Sequence, residues 1–316
     1  MKQITKIFML LLLVSTFSSC SSNDDSIEFT SNTIVDVAVE NNLSSLVAAI
    51  TRADLTSTLS GDGPFTVFAP TNAAFQALLD SNPDWNTIND IPVETLKSVL
   101  LFHVLDGLVK STDLTDSYVK TLSTGPNSAP IVLQIEVTGD TEFNGDAKPV
   151  AVDVLASNGV VHVIDKVMLP PNIVTLASNN GNFSSLVAAL TDSRHTTNFV
   201  TLLNGNGPFT VFAPTNAAFQ ALLDSNPNWN SLGDIPIATL DAVLKYHVVD
   251  NANVQADQLS NGVVSTLGGD ITIDLNSGVQ IKTTSTQTVN ILVGAATNDV
   301  QGTNGVVHAI DAVMLP

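Results

Sequence analysis

Five histidines are the side chains in this sequence that could serve as acids, bases or metal ligands near neutral pH. Four recur at matching positions of a longer repeat, His103 with His247 and His162 with His308, while His195 has no counterpart. Asp165 follows His162 closely, so one interpretation is a His–Asp dyad or metal site. The other is a buried polar pair bonded to backbone. Because side chains alternate along a strand, His162 and Asp165 cannot share one site, and the pattern favours the structural role.

Other signatures of catalysis are missing from the sequence. It contains no Gly-x-Ser-x-Gly elbow, no His-Glu-x-x-His pair and no phosphate-binding loop. The single cysteine, Cys20, lies close to the amino terminus. We therefore expect a protein that is not an enzyme and that has no cofactor and no metal site.

Two stretches that each occur twice define the organisation of the chain. Residues 61–85 read GDGPFTVFAPTNAAFQALLDSNPDW, and residues 205–229 differ from them at only two positions. Residues 158–170 (NGVVHVIDKVMLP) return at 304–316 as NGVVHAIDAVMLP. The first pair is offset by 205 − 61 = 144 residues, the length of one ordinary domain, which predicts two tandem globular domains.

Residue patterns within each repeat predict an α+β fold. The apolar spacing of 33–53 favours two short helices, and Phe65–Ala69 is typical of a strand buried on both faces. Thr71 is a good cap for the helix that follows, and Trp85 is expected in the core. Later segments rich in Val, Ile and Thr predict strands, ending in a long one at 159–169 and at 305–315. Helices come first and strands later in each repeat, which is the α+β pattern.

The amino terminus has the features of an exported lipoprotein. Residues 1–19 combine two lysines, a short apolar run and small residues, which predicts a signal peptide. Cys20 then lies where a lipid would be attached, and 20–32 is a polar tether. The alternative is an ordinary signal peptide followed by a free thiol. The acidic segment 21–26 resembles a tag for the outer face, so we expect a lipid-anchored protein of the bacterial outer membrane that faces outward.

The charge of the chain restricts its partners. The formal net charge is −19, with 30 acidic residues and 11 lysines and arginines. Such a surface repels phosphate backbones, so we expect no nucleic-acid partner and membrane contact only through the lipid anchor.

Taken together, these motifs resemble two tandem fasciclin domains, at 33–170 and 172–316. The resemblance depends on GPFTVFAPTNAAF, on NGVVHVIDKVMLP, and on KYHV at 245–248, which matches a tyrosine–histidine motif of the family. It implies a wedge-shaped β-sandwich with helices packed along one edge. It also implies extracellular, non-catalytic adhesion to a surface or matrix protein or polysaccharide.

The resemblance also implies candidate binding residues. They form the tyrosine–histidine motif and an aspartate–valine pair before the second signature, namely Phe102, His103, Asp153 and Val154 in repeat one and Tyr246, His247, Asp299 and Val300 in repeat two. The alternative is that all eight serve the fold. Repeat two keeps the tyrosine hydroxyl that Phe102 lacks, so we expect repeat two to dominate adhesion.

Two functions therefore remain open. The first is a surface-anchored adhesion or matrix-interaction lipoprotein. The alternative is a small-molecule or glycan-binding lipoprotein with a site at the domain junction, close to the short linker at Pro170.

Overall fold

The structure, a computed structural model, describes residues 32–294 and 299–316. The predicted signal peptide, Cys20 and most of the tether lie outside the described residues. The helices of the first repeat are α1 (Ile34–Glu40), α2 (Ser44–Arg52), α3 (Thr56–Leu59), α4 (Asn72–Asp80) and α5 (Val93–Phe102). Its strands are β1 (Phe65–Pro70), β2 (Val104–Asp106), β3 (Ser117–Thr124), β4 (Pro130–Glu136), β5 (Glu142–Phe143), β6 (Pro149–Ala156) and β7 (Gly159–Ile164).

The second repeat follows the same plan. Its helices are α6 (Ile173–Asn179), α7 (Ser184–Leu190), α8 (Phe199–Leu203), α9 (Asn216–Asp224) and α10 (Ile237–Tyr246). Its strands are β8 (Phe209–Pro214), β9 (Val248–Asp250), β10 (Gly262–Thr266), β11 (Gly269–Asp274), β12 (Gln280–Lys282), β13 (Thr288–Asn290), β14 (Val300–Gly302) and β15 (Gly305–Ile310).

Each repeat combines two sheets with helices, so the α+β class predicted from the sequence is confirmed. In repeat one the strand orders are β2-β1-β7-β6 and β3-β4-β5. In repeat two they are β14-β15-β8-β9 and β10-β11-β12-β13.

A parallel pair of strands forms the centre of each repeat. β1 pairs with β7, with Val67 opposite Val161 and Phe68 opposite His162. Val67 and Val161 pack with the helices, whereas Phe68 packs with residues of the second sheet such as Leu133. Because both faces are covered, β7 is buried along its whole length.

The asparagine that begins the second shared stretch has the same role in both repeats. The Asn158 side chain accepts from Ile34 N at 2.9 Å and donates to Leu59 O and Gly61 O, so it joins α1 and α3 to the start of β7. Asn304 makes the equivalent bonds in repeat two, to Ile173, Leu203 and Gly205. One amide thus satisfies three backbone groups that would otherwise be left at helix ends.

Two details of the sequence interpretation were wrong. Trp85 and Trp229 are half-buried against the core and are not inside it. The last strands end earlier than predicted, at Ile164 in repeat one and at Ile310 in repeat two, and Asp165 is exposed. Beyond Ile164 the contact is with the residue before β6: the Asp165 carboxylate accepts from Lys148 N at 2.7 Å and Asp165 N donates to Lys148 O, at the open end of the β6–β7 pair.

The short linker brings the two repeats into direct contact. Val132 on β4 is part of the hydrophobic core of repeat two, and β4 lies against β14. The Tyr118 hydroxyl accepts from Asn180 Nδ2 at 3.0 Å, and burial raises the pKa of Tyr118 to about 12. Asn253 Nδ2 donates to Pro126 O at 3.3 Å from the other side.

Glycine at the start of β7 is required by the closeness of β1. A Cβ added to Gly159 would lie 2.1 Å from Phe65 O, a backbone atom that cannot move without breaking the parallel pair. We therefore expect Gly159→Ala to lower the free energy of unfolding by about 3 kcal/mol or more. Urea denaturation measures the change.

The matched control is Gly181→Ala, because a Cβ there would meet nothing within 4 Å. It should change the stability by less than about 0.5 kcal/mol. Equal destabilisation by the two substitutions would contradict this account of Gly159.

Candidate functional site

His103 and His247 tie the end of a helix to the end of a domain. Each follows the last residue of its helix, α5 or α10, and each is only 2% exposed. The His247 ring faces Val243 O at 2.6 Å through Nδ1 and accepts from Met314 N at 2.9 Å through Nε2. His103 makes the equivalent bonds to Val99 O and Met168 N. A ring that donates once and accepts once is neutral.

Burial opposes a charge on these two rings. It lowers the pKa of His103 and of His247 to about 4, although the hydrogen bond to the helix carbonyl acts in the opposite direction. Neither ring therefore has a nitrogen available for proton transfer at the surface.

His162 and His308 bridge strands in the same manner. Both side chains are fully buried. His162 accepts from Asp153 N at 3.3 Å and its Nε2 faces Val109 O at 2.9 Å. His308 has Asp299 N and Val254 O as its partners, and burial lowers the pKa of His308. These contacts agree with the structural interpretation of the two strand histidines.

The aromatic residues before the helix-end histidines lie in the core. Phe102 and Tyr246 are both 0% exposed. The Tyr246 hydroxyl donates to Asp270 O at 2.6 Å and accepts from Thr284 N at 3.2 Å, so its hydrogen-bonding capacity is used inside the domain. Phe102, His103, Tyr246 and His247 thus present no surface to a partner. The premise that repeat two offers an additional hydroxyl for adhesion is not met.

The aspartate–valine pairs lie on the edge strands of their sheets. Asp153 has φ 58° and Asp299 has φ 55°, which is left-handed backbone that non-glycine residues seldom adopt. In repeat one the pairing register shifts between Ala151 and Val154, which places Asp153 in a β-bulge opposite His162. Bulges of this kind redirect side chains at a sheet edge.

The Asp153 carboxylate holds the bulge in place. It accepts from Ser111 N at 2.8 Å and from the Ser111 hydroxyl, and these bonds lower the pKa of Asp153. Asp299 Oδ1 accepts from Ala256 N at 2.6 Å at the same place in repeat two. Both carboxylates therefore cap a short turn, as the alternative interpretation of these residues expects; binding by them stays a prediction.

The two edge strands differ strongly in exposure. In β6, Val150 is 61% exposed and Leu155 is 65% exposed. In β14, Val300 and Gln301 are buried, because β14 lies against β4 of the first repeat and against α6. Of the two aspartate–valine pairs, only Asp153–Val154 thus lies on an edge strand with large apolar side chains in the solvent.

Sequence reasoning missed the role of His195. Its side chain is 3% exposed, with Nδ1 bonded to the Asp241 carboxylate and Nε2 at 2.7 Å from Ala189 O. Position 97, the counterpart of Asp241 in repeat one, holds a lysine, so the pair exists only in repeat two. Since Nε2 faces a carbonyl and no hydroxyl or thiol, the pair lacks the nucleophile of a catalytic triad. The available signal in the sequence was a histidine without a counterpart in repeat one.

Metal ligands and membrane-spanning helices were the remaining features to consider in the described part of the chain. Among the described residues, no three His, Cys, Asp or Glu side chains come together to hold a metal ion. Within 32–294 and 299–316, no helix has the length and apolar composition needed to cross a membrane.

A polar groove lies at the junction of the repeats. Its volume is about 340 Å³, and both repeats line it, through Tyr118, Gln134 and Glu136 on one side and Asn180 and Asn182 on the other. Gln134 Oε1 is buried there without a hydrogen-bond partner among the described residues. This polar groove differs from the apolar pockets that generally bind small molecules.

Comparison with known proteins gives consistent results. A model of the fasciclin domain matches residues 41–170 and again 181–316. The chain is 40% identical over 140 residues to protein sll1483 of Synechocystis sp., covering 44% of this chain and 74% of that one. It is 30% identical over 261 residues to human periostin, covering 82% of this chain but only 29% of periostin.

A solved structure is also similar. It is a domain pair from the insect cell adhesion molecule fasciclin I, with a TM-score of 0.47 and 18% identity over 89% of this chain and 95% of that one.

The buried neutral histidines predict a loss of stability in weak acid. Below the ordinary histidine pKa of 6.5, these two histidines are protonated in the unfolded chain. In the folded protein they stay neutral until about pH 4. Stability is therefore complete above 6.5 and falls as the pH drops, by about 2 kcal/mol per histidine at about pH 5. Urea denaturation between about pH 7.5 and about pH 5 tests this, in a range above the ordinary carboxylate pKa.

The double variant His103→Gln, His247→Gln provides the comparison, because glutamine can still donate and accept but does not titrate. Its stability should depend clearly less on pH over this range. An unchanged pH dependence, or a gain of stability on acidification of the native chain, would contradict the neutral state of these rings.

Proposed function

Because the chain belongs to the fasciclin domain family, we propose that it is a surface-anchored, non-catalytic adhesion protein that contacts a matrix or cell-surface protein or polysaccharide. Adhesion is the function that the fasciclin resemblance implies. Periostin is a longer protein, of which this chain covers 29%, so a partner for this chain is proposed from its own surface.

The observation that carries the proposal is the exposed edge strand β6. Val150, Val152 and Leu155 present apolar side chains to solvent over one short strand, which is unusual for a sheet edge. Exposed apolar residues grouped on a rigid element are typical of protein-binding surfaces. The bulge at Asp153 fixes the direction of this strand, which gives the aspartate a positioning role.

The chemistry of the histidines supports a non-catalytic function. The four paired rings each use both nitrogens on backbone groups, and His195 uses its two on Asp241 and Ala189. None of the five rings offers a free nitrogen to a substrate, so histidine, the side chain used most often in general acid–base catalysis, does not have that role here.

Adhesion through β6 predicts the effect of a charge on this strand. Leu155→Asp should reduce attachment of cells, or of beads coated with the protein, by about tenfold, since an anchor side chain at an interface contributes more than about 1 kcal/mol. Because Leu155 is exposed, the stability should change by less than about 0.5 kcal/mol. Attachment to protein-coated and to polysaccharide-coated surfaces is measured side by side.

The matched control is Val263→Asp on β10, whose side chain is 68% exposed and lies in the other repeat. It should leave attachment unchanged. Full attachment by Leu155→Asp, or an equal loss in both variants, would exclude β6 as the adhesive surface.

Surface anchoring is the second part of the proposal, and its support is the sequence around Cys20. If Cys20 carries a lipid, Cys20→Ala should move the protein from the outer membrane fraction to the soluble fraction and abolish labelling with radioactive palmitate. Continued fractionation with the membrane would refute the anchor. Protease treatment of intact cells, which should degrade the native chain, separately tests whether it faces outward.

The groove at the junction favours a second candidate, the binding of a glycan between the repeats. Its support is the set of amide and carboxylate groups from both repeats and the unpaired Gln134 Oε1. In the attachment assay, glycan binding in the groove predicts that Asn182→Ala reduces attachment to polysaccharide-coated surfaces only. Leu155→Asp should then leave attachment unchanged.

A further inference from the structure

An apolar cavity of about 150 Å³ lies inside the second repeat. α6, α7 and α8 surround it, and the central strands β8 and β15 form its floor. The inner wall consists of buried aliphatic side chains: Ile173, Leu186, Leu203, Val211, Ala213 and Val307. This cavity is separate from the junction groove and from β6.

A longer connection between two helices accounts for the cavity. In repeat one, α2 ends at Arg52 and α3 begins at Thr56. In repeat two, α7 ends at Leu190 and α8 begins only at Phe199, which lengthens the link. Ile50, at the end of α2, is 1% exposed, whereas its counterpart Leu190 is half-buried and lines the cavity. The inner walls of the two repeats are otherwise built from matching residues.

The longer link is held firmly in place. The Arg194 guanidinium donates to Leu232 O, Gly233 O and Ile235 O at 2.8–3.2 Å. The His195 ring is bonded to Asp241 and to Ala189 O, and it meets the Phe199 ring edge-on with 5.0 Å between centroids. Phe199 is the first residue of α8, so these contacts fix the start of α8 beside the cavity.

We propose that this cavity binds a small, uncharged apolar group, either a ring of about the size of benzene or the end of a hydrocarbon chain. The lining contains no titratable side chain, so a charged ligand would lose its hydration without compensation. An aliphatic cavity of about 150 Å³ in another protein stays free of water and binds benzene. The hydroxyls of Ser178 and Thr191 lie at the rim, where they can bond one polar group of the ligand.

The first experiment titrates the full chain with benzene and follows the methyl groups of Ile, Leu and Val by NMR. Saturable shifts are expected at Ile173, Leu186 and Val211 in repeat two. The corresponding methyls of repeat one, at Ile34, Leu46 and Val67, are the internal control and should not move. Benzene should also raise the unfolding temperature in proportion to its occupancy.

Two substitutions fill the cavity by different routes. Ala177→Leu adds side-chain atoms to it from α6, and Val200→Phe adds them from α8. Each should weaken benzene binding by about tenfold or more, since the added atoms occupy the same space. Ala38→Leu makes the same change in repeat one, where Ala38 is 1% exposed, and should leave benzene binding unchanged while it destabilises a packed core.

Several results would overturn the proposal. They are the absence of saturable shifts, equal shifts in the two repeats, and benzene binding that both Ala177→Leu and Val200→Phe leave intact. Destabilisation by Ala177→Leu equal to that by Ala38→Leu would show that the space is not available.

Discussion

The whole fold depends on backbone polar groups being satisfied inside an apolar core, and histidine rings do this at four places. Where a helix meets the end of a domain, His103 and His247 accept one N–H and donate to one carbonyl. At the edge strands, His162 accepts the N–H of Asp153 in its bulge, and His308 accepts the N–H of Asp299 just before β14. An imidazole suits this task because it donates and accepts through a rigid ring, and a charge would abolish the acceptor. The same requirement explains why these rings are unsuited to catalysis.

Contact between the repeats breaks their equivalence. β14 and β6 occupy the same place in their sheets, yet β4 of the first repeat covers β14, and β6 remains open. The sequences follow this difference, because Leu155 in β6 corresponds to Gln301 in β14, whose amide bonds Gly302 O and Gly305 O. Two repeats with the same strand order thus have one covered edge strand, β14, and one exposed edge strand, β6. This asymmetry is the physical reason for placing adhesion on the first repeat.

The sequence allowed the helices, the central strands and the α+β class to be predicted, because periodicity and capping act over a few residues. The cap by Thr71 is an example, since its side chain accepts from Ala74 N. Burial of Tyr246 could not be predicted in this way, because its hydroxyl bonds Asp270 O on β11 and Thr284 N in the turn after β12, which lie 24 and 38 residues further along the chain. The exposure of Leu155 likewise follows from which strand the neighbouring repeat covers. Candidate sites named from motifs are therefore less secure than the elements that carry them.

Near-identity between the repeats identifies framework more than function. Asn72 in the repeated stretch accepts from Ser45 N and donates to Asn42 O, and Asn216 repeats both bonds with Ser185 and Gly181. Side chains that make such framework hydrogen bonds are the same in both repeats, independently of what the protein binds. Residues with a specific function are then expected where the two repeats differ in structure, because residues at those places are not required by the common fold. Two such differences are the β6 edge, with its exposed apolar side chains, and the link from Leu190 to Phe199, with its His195–Asp241 hydrogen bond and its cavity. A recognition surface and a ligand cavity at these two places would share a fold while remaining independent of each other.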